Sequence, residues 1–373
     1  MNTWKRVTPF DAHGQSEYRE DWVYYDDGQP VESFEVSVKI GKPLDVMQLR
    51  NTSLTEISRY AEFLKKTAKA IYAPPNAPAE IRQCPCCEYT VQPNDRDFAI
   101  FDVAYRVCSH CGHTFVGAQP PTDFYREHFK QSGEHAATYA DKETLELRMA
   151  QVIQPKLEWV RQIFQTQHRD PIAALLDVGA GGGHFVEACR RSGIAASGYE
   201  LSSASVGFAR QTFGVRLMQA DFLAAPVTGN FDVLTFWGLL EYTPEPTAFI
   251  KKAAELLSGV QGGLLVLEVP RADCLGSTVQ KEEGAVIARH LDPTSHVNCF
   301  SDQSILTALY RHRFKPVAAW YFGMDVYEVL TQCALKAGED GFLEKAADLI
   351  PGLQQCIDAG KLCDDVILAA VPF

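Results

Sequence analysis

A run of buried-strand character, Leu175-Leu176-Asp177-Val178, passes directly into Gly179-Ala180-Gly181-Gly182-Gly183, and a helix-like segment from Phe185 to Arg191 follows. Glycine is needed where the backbone turns sharply and a ligand must approach with no Cβ in the way. Amides at the start of the next helix then face a polar or anionic group. The spacing is Gly-x-Gly-x-Gly, and His184 stands where the dinucleotide fingerprint places Gly or Ala.

The flanking pattern repeats this strand-then-helix unit. Ala173–Val178, Ile194–Tyr199, Val215–Gln219, Phe231–Phe236 and Leu264–Val269 read as strands, separated by segments that suit crossover helices. That order predicts an α/β protein with a parallel sheet covered by helices on both faces. The second strand ends in Gly198-Tyr199-Glu200, an acid about 20 residues beyond the loop, where a carboxylate can accept hydrogen bonds from ribose hydroxyls. The third ends in Ala220-Asp221-Phe222, and the fourth reads Phe231 to Trp237.

This ordered set, over roughly residues 171–330, resembles the class I S-adenosylmethionine (SAM)-dependent methyltransferase family. The resemblance implies a Rossmann-like sheet and SAM as the bound cofactor. It implies that Asp177, Gly179, Ala180, Gly181 and Gly183 contact the methionine part, with Glu200 on the ribose and Leu201 against the adenine. Asp221 would meet the adenine amino group and the Phe222 amide its ring nitrogen, while Phe236 and Trp237 border the cofactor. Family-like features continue in Ser295-His296-Val297-Asn298-Cys299-Phe300-Ser301, in Arg313-Phe314-Lys315-Pro316-Val317, and in a last strand over Asp365–Val371. The domain is expected over 171–373. It includes a helical insertion at 326–361 that is a candidate lid or dimer surface, and a homodimer is one expectation from it.

Eleven cysteines are present, and five of them fall between Cys84 and Cys111. Cys84-Pro85-Cys86-Cys87 and Cys108-Ser109-His110-Cys111 form two Cys-x-x-Cys turns with 20 residues between Cys87 and Cys108. Each turn presents two thiolates, and two such turns complete a closed tetrahedral zinc site of the structural kind. The ligands are expected to be Cys84, Cys87, Cys108 and Cys111, with Cys86 a bystander. A register using Cys86, or His110 or His113 in place of a thiolate, stays open. The other cysteines are scattered, as small core residues of a reducing compartment are.

The chain is thus divided into an N-terminal α+β segment (1–80), a small zinc ribbon (81–120), a helical connector contributing to the active site (121–170) and the 171–373 domain. In the first segment Val31–Ile40 alternates like a strand, Leu54–Tyr72 carries helical spacing, and the prolines from Pro74 to Pro78 mark a boundary. In the connector, the aromatic run Phe124–Phe129 and Tyr139 stand ahead of a helical stretch from Leu145 to Phe164, which Pro155 should kink or divide. Ribbon, aromatic helical stretch and domain in this order resemble bacterial small-molecule methyltransferases, including sugar C- and O-methylating enzymes. Unlike the sugar C-methylating pattern, about 80 residues precede the ribbon and no full domain follows the core.

A net charge of −12 argues against a nucleic-acid backbone as the main partner. No apolar run approaches the ~20 residues that cross a bilayer. The N-terminus lacks a hydrophobic signal segment, so no membrane association and a cytoplasmic location are expected. The expected function is methyl transfer from SAM to a small polar metabolite, such as a nucleotide-linked sugar or another biosynthetic intermediate. Two alternatives are a macromolecule methyltransferase that uses the ribbon for recognition, and a SAM-binding module without turnover. Where the acceptor must lose a proton, His296 is the first candidate base, because imidazole titrates near neutrality. Tyr242 is second and His290 third; Glu241-Tyr242 stands where the family commonly has Glu-His.

Overall fold

The computed structural model describes residues 3–12, 14–42, 44–49, 53–73, 78–92, 95–120, 124, 142–168, 170–260, 262–283, 286–287, 289–339 and 341–373. Positions 74–77, the aromatic run from Tyr125 to Phe129, and Tyr139 lie outside these residues.

Three antiparallel strands open the chain: β1 (Thr3–Val7), β2 (Glu17–Asp26) and β3 (Gln29–Ile40). Asp27 and Gly28 both take positive φ at the β2–β3 turn (45° and 77°), the geometry a tight hairpin requires. Alternate residues Trp22, Tyr24, Phe34, Val36 and Val38 are buried, as a period of two demands. Helix α1 (Leu54–Tyr72) begins with a capping box, in which the Ser53 hydroxyl accepts the Glu56 amide and the Glu56 carboxylate accepts the Ser53 amide.

Three short antiparallel strands, β4 (Arg96–Ile100), β5 (Val103–Val107) and β6 (Thr114–Val116), come next, in the segment expected to be a ribbon. Helical residues Lys142–Arg148 then run into a π-helical turn, Met149–Ile153, before α2 (Gln154–Gln167). Pro155 does divide this stretch. It sits in the first turn of α2, and the Gln154 amide reaches back five residues to the Met149 carbonyl. That widened turn accommodates a ring that would clash in a continuous α-helix.

The remaining elements alternate: β7 (Ala174–Val178), α3 (His184–Arg191), β8 (Ala195–Glu200), α4 (Ser203–Phe213), β9 (Met218–Gln219), β10 (Val233–Trp237), α5 (Pro246–Leu257) and β11 (Leu264–Pro270). They are followed by α6 (Leu275–Glu283), β12 (Asn298–Cys299), α7 (Asp302–Arg311), β13 (Phe314–Phe322), α8 (Asp325–Ala337), α9 (Ile350–Ala359) and β14 (Asp365–Pro372). The third predicted strand is shorter than Val215–Gln219. Val215 and Leu217 instead pack with Ala180, Val186 and Ala209 beneath the glycine turn.

One ten-stranded sheet has the order β1-β2-β3-β13-β14-β11-β10-β7-β8-β9. Strands β7 to β11 are mutually parallel, and β14 runs antiparallel between β11 and β13. Both faces are covered. Leu176, Leu234 and Leu265 pack on Phe249, Ile250 and Ala253 of α5, while Leu175, Val233 and Leu264 pack on Leu157, Val160 and Phe164 of α2. Adjacent residues on one strand therefore feed opposite cores, which is why these strands read as unbroken apolar runs.

Strands β1, β2 and β3 are part of this sheet. β3 pairs in parallel with β13, from Ser37 opposite Ala318 to Ile40 opposite Tyr321. A buried ion pair between Lys361 and Glu20 (2.6 Å) and a bond from the Arg6 guanidinium to Asp302 (2.6 Å) fasten the hairpin to the C-terminal half.

Candidate active site

The parallel strands end at a crevice, where open α/β sheets place their ligands. A cavity of about 580 Å³ runs from the Gly179–Gly182 turn, past the ends of β8, β10 and β11, to the loop that carries His290 and His296. Gly179, Gly181 and Gly183 all adopt positive φ (71°, 51° and 74°). A Cβ on Gly179 would strike Leu239 at 2.9 Å, whereas one on Gly181 would meet no protein atom within 4 Å and project into the cavity. A space kept clear of the protein's own side chains in this way is suited to the body of a ligand.

Carboxylates frame the turn. Asp177 is 1% exposed and accepts the Thr235 hydroxyl at 2.7 Å; burial pushes its carboxyl up to about 7 although that hydrogen bond opposes the shift. Glu200 accepts the amides of Gly181 and Ser202, each at 2.8 Å, one on each oxygen. A carboxylate has about four lone-pair sites, so capacity remains for ribose hydroxyls. Asp177, Gly179, Ala180, Gly181, Glu200, Leu201, Asp221, Phe222 and Trp237 all line the cavity.

Two expected contacts are placed elsewhere. Phe236 is fully buried on the opposite face of β10, against Phe222 and Phe249, because the strand period turns it away when Trp237 faces the crevice. Gly183 precedes α3, and its missing Cβ makes room for Ala209 at 3.0 Å. Gly182 takes its place on the lining, above His184 and Phe208.

At the far end, Tyr242, His290 and His296 converge. The rings of Tyr242 and His296 meet edge to face at 4.8 Å, and those of His290 and His296 lie 6.2 Å apart, nearly parallel. His290 Nε2 is 3.2 Å from Asp364. Burial disfavours ionisation of Asp364, but Arg289 and His290 outweigh it and hold its carboxyl at about 2. Further polar residues gather here beside these three. Glu241 is buried beside the cavity, with Oε2 lacking a hydrogen-bond partner among the described residues; burial, then Asp365 and Glu268, push its carboxyl well above the usual range. Its surroundings therefore favour the neutral, protonated carboxyl over the ionised one. Lys156 is ion-paired with Glu268, and Lys42 and Arg148 complete the rim.

Residues 146–319 match the methyltransferase domain family. Over this part the chain is similar to methyltransferase domains. A curated relative from Xanthomonas oryzae pv. oryzae, a ubiquinone biosynthesis O-methyltransferase, is 38% identical over 102 residues, 26% of this chain and 42% of the relative. Its counterpart from Xanthomonas campestris pv. campestris is 34% identical over 149 residues, 38% of this chain and 62% of that protein. The chain therefore matches about half of each relative's length. Among solved structures, the magnesium protoporphyrin IX methyltransferase of Synechocystis PCC 6803 is 17% identical with a TM-score of 0.46, covering 68% of this chain and all of the other.

The segment that carries the two Cys-x-x-Cys turns packs against the α/β part of the chain. Sγ atoms of Cys84, Cys87, Cys108 and Cys111 are buried within 4.8 Å of one another, with Cys84–Cys111 at 3.7 Å and Cys87–Cys108 at 3.8 Å. A tetrahedron with zinc–sulfur bonds of about 2.3 Å has edges of about 3.8 Å, so the donor set fits zinc. Cys86 stands outside this set and donates to the Ser304 carbonyl at 3.0 Å. His113 is fully buried with Nε2 2.9 Å from Asn298 Oδ1, and His110 stacks on Tyr89. Neither histidine belongs to the four-thiol cluster. Strand β12 adds itself to the ribbon sheet beside β6, and the Tyr105 hydroxyl donates to the His296 carbonyl at 2.8 Å. The ribbon thus holds the backbone of the loop that ends in His296.

Proposed function

We propose that the protein transfers the methyl group of SAM to a small-molecule acceptor, with oxygen as the accepting atom. One observation carries this reading: the glycine cradle with Glu200 and Asp221 opens into the same cavity that ends at Tyr242, His290 and His296. The names of the curated relatives, all O-methyltransferases, support the oxygen acceptor. A nucleotide-linked sugar is one acceptor of this class.

SAM supplies a methyl group on a sulfonium, already activated toward an in-line displacement. The chain's own part is alignment and exclusion of water. Asp177, Glu200 and Asp221 hold the donor end, and the turn around Gly179–Gly182 leaves it room. At the other end we assign His296 as the base that takes the acceptor's proton, with Tyr242 against its ring. His290 is the alternative, favoured by the Asp364 carboxylate that orients it.

Recognition of a macromolecule through the ribbon is the weaker reading. The ribbon's knuckles face inward: Thr247 donates to the Pro85 carbonyl, Cys86 to that of Ser304, and Ser301 to that of Cys111. We read this as a structural role for the metal site, with Cys84, Cys87, Cys108 and Cys111 as the zinc ligands.

Incubation of the protein with methyl-labelled SAM and a cell extract, followed by separation by size, tests the assignment. Label is expected in the small-molecule fraction as a base-stable ether. Label confined to protein or nucleic acid, or a protein that binds SAM and labels nothing, would overturn it.

A further inference from the structure

His113 belongs to two structures at once. Its backbone carbonyl accepts the Cys108 amide at 2.9 Å and so closes the second Cys-x-x-Cys turn, while its imidazole leaves that turn and meets Asn298. Both residues are buried. The orientation of the Asn298 amide is fixed by its surroundings. Nδ2 lies 2.6 Å from the Thr243 carbonyl and 3.5 Å from that of Leu240; carbonyls only accept, so the NH2 group faces them and Oδ1 faces His113. His113 then donates through Nε2, and Nδ1, which lacks a hydrogen-bond partner among the described residues, is the nitrogen without a proton. The Asn298 backbone amide adds a third bond, to the Glu241 carbonyl at 3.1 Å. One residue thus binds the carbonyls of Leu240, Glu241 and Thr243, in the turn that carries Glu241 and Tyr242 to the cavity. Among the described residues, none from 78 to 120 lines that cavity, so the cysteine-bearing segment acts on it from behind.

We propose that His113 and Asn298 are positioning residues for methyl transfer: they pass the order of the four-thiol cluster to the turn at residues 239–243 and so hold Tyr242 edge-on against His296. This rests on the methyltransferase reading above, with His296 and Tyr242 at the acceptor end and zinc in the thiol cluster. The partner ring is anchored to the same segment, because the Tyr105 hydroxyl of β5 holds the His296 carbonyl at 2.8 Å. The two rings that meet at 4.8 Å are therefore fastened to one support, Tyr242 through His113 and Asn298, and His296 through Tyr105. A shift of about 1 Å between a reacting group and its neighbour is enough to slow a reaction by roughly a hundredfold. Asn298 gives the turn more bonds than its own closing one, from the Tyr242 amide to the Leu239 carbonyl at 3.2 Å.

Hydrogen exchange on the full chain, zinc-loaded and saturated with S-adenosylhomocysteine (SAH), provides the test. The second measurement is transfer of label from methyl-labelled SAM to the small-molecule fraction of a cell extract. His113→Phe keeps a ring and removes the donor. Exchange in residues 239–243 is expected to rise, and labelling to fall, by at least about tenfold, with zinc content and SAH affinity within about twofold of the parent. His113→Gln, whose side-chain NH2 reaches the place of Nε2, restores both. His110→Phe, in the same turn but stacked on Tyr89, changes neither. Stripping zinc from the parent raises exchange in 239–243, and adds nothing in His113→Phe, where the link is already cut. Equal exchange in 239–243 for the parent and His113→Phe would overturn the proposal. So would a His113→Gln protein that behaves like His113→Phe, or a His113→Phe protein that loses zinc or SAH, because the imidazole then serves the metal site or the fold at large. A parent protein that labels nothing would sink the methyltransferase reading, while the exchange data still decide whether His113 and Asn298 order the turn.

Discussion

The carboxylate of Glu200 accepts the amide of Gly181 at 2.8 Å, so the acid that closes one strand braces the turn that closes its neighbour. Its other oxygen accepts the Ser202 amide, which fixes the plane of the group before any ligand arrives. Affinity for SAH should therefore depend on this side chain twice, through direct contact and through the shape of the turn. Glu200→Gln is expected to weaken SAH binding by about ten- to a hundredfold while leaving the folded structure intact. Calorimetry against SAH, with circular dichroism as the control, checks both halves of the statement.

How far the sequence carried the site depends on the range of the interactions. The glycine turn and the strand-end acids Glu200 and Asp221 were legible because each is a local demand, a positive φ or a polar group at the end of an apolar run. The exchange of Phe236 for Trp237 alone, and of Gly183 for Gly182, follows from strand and turn geometry that a linear motif does not encode. Lys42 was not legible at all. It reaches the cavity because β3 pairs with β13, a contact between Ser37 and Ala318 that no local pattern announces. The same is true of the Glu20–Lys361 ion pair and of the addition of β12 to the ribbon sheet.

Removal of the His296 imidazole should act on chemistry and spare cofactor binding. For His296→Ala we expect turnover to fall by about a hundredfold or more, with SAH affinity within about twofold of the parent. Single-turnover rates with the acceptor measure the first, and calorimetry the second. Turnover that survives within a few-fold would move the base to His290, where Asp364 already supplies an orienting carboxylate.

The four-thiol cluster leads to a stoichiometric expectation. Metal analysis should give one zinc per chain, retained in Cys86→Ser, whose Sγ bonds to the Ser304 carbonyl, and lost in Cys108→Ser. Stripping the metal with a chelator should raise hydrogen exchange in residues 296–300, because β12 and the His296 carbonyl are held by ribbon groups. Equal exchange with and without metal would show that the ribbon does not position this loop.

Asp177 should make stability fall as the pH rises. Burial lifts its carboxyl from about 4 in the unfolded chain to about 7 in the folded one, so the folded state binds the proton more tightly. Its contribution is fully present below about pH 4 and is lost progressively up to about pH 7. Denaturant titrations at pH 5 and pH 7.5 should show a smaller loss of stability between these values in Asp177→Asn than in the parent. An unchanged difference would mean that Asp177 is already ionised at pH 5.

The decisive measurement is a crystal structure with SAH bound. Ribose hydroxyls are expected within hydrogen-bond distance of Glu200, adenine at Asp221 and Phe222, and the sulfur turned toward the Tyr242–His296 end of the cavity. A crevice that admits no SAH, or a nucleoside lying away from Glu200 and Asp221, would contradict it.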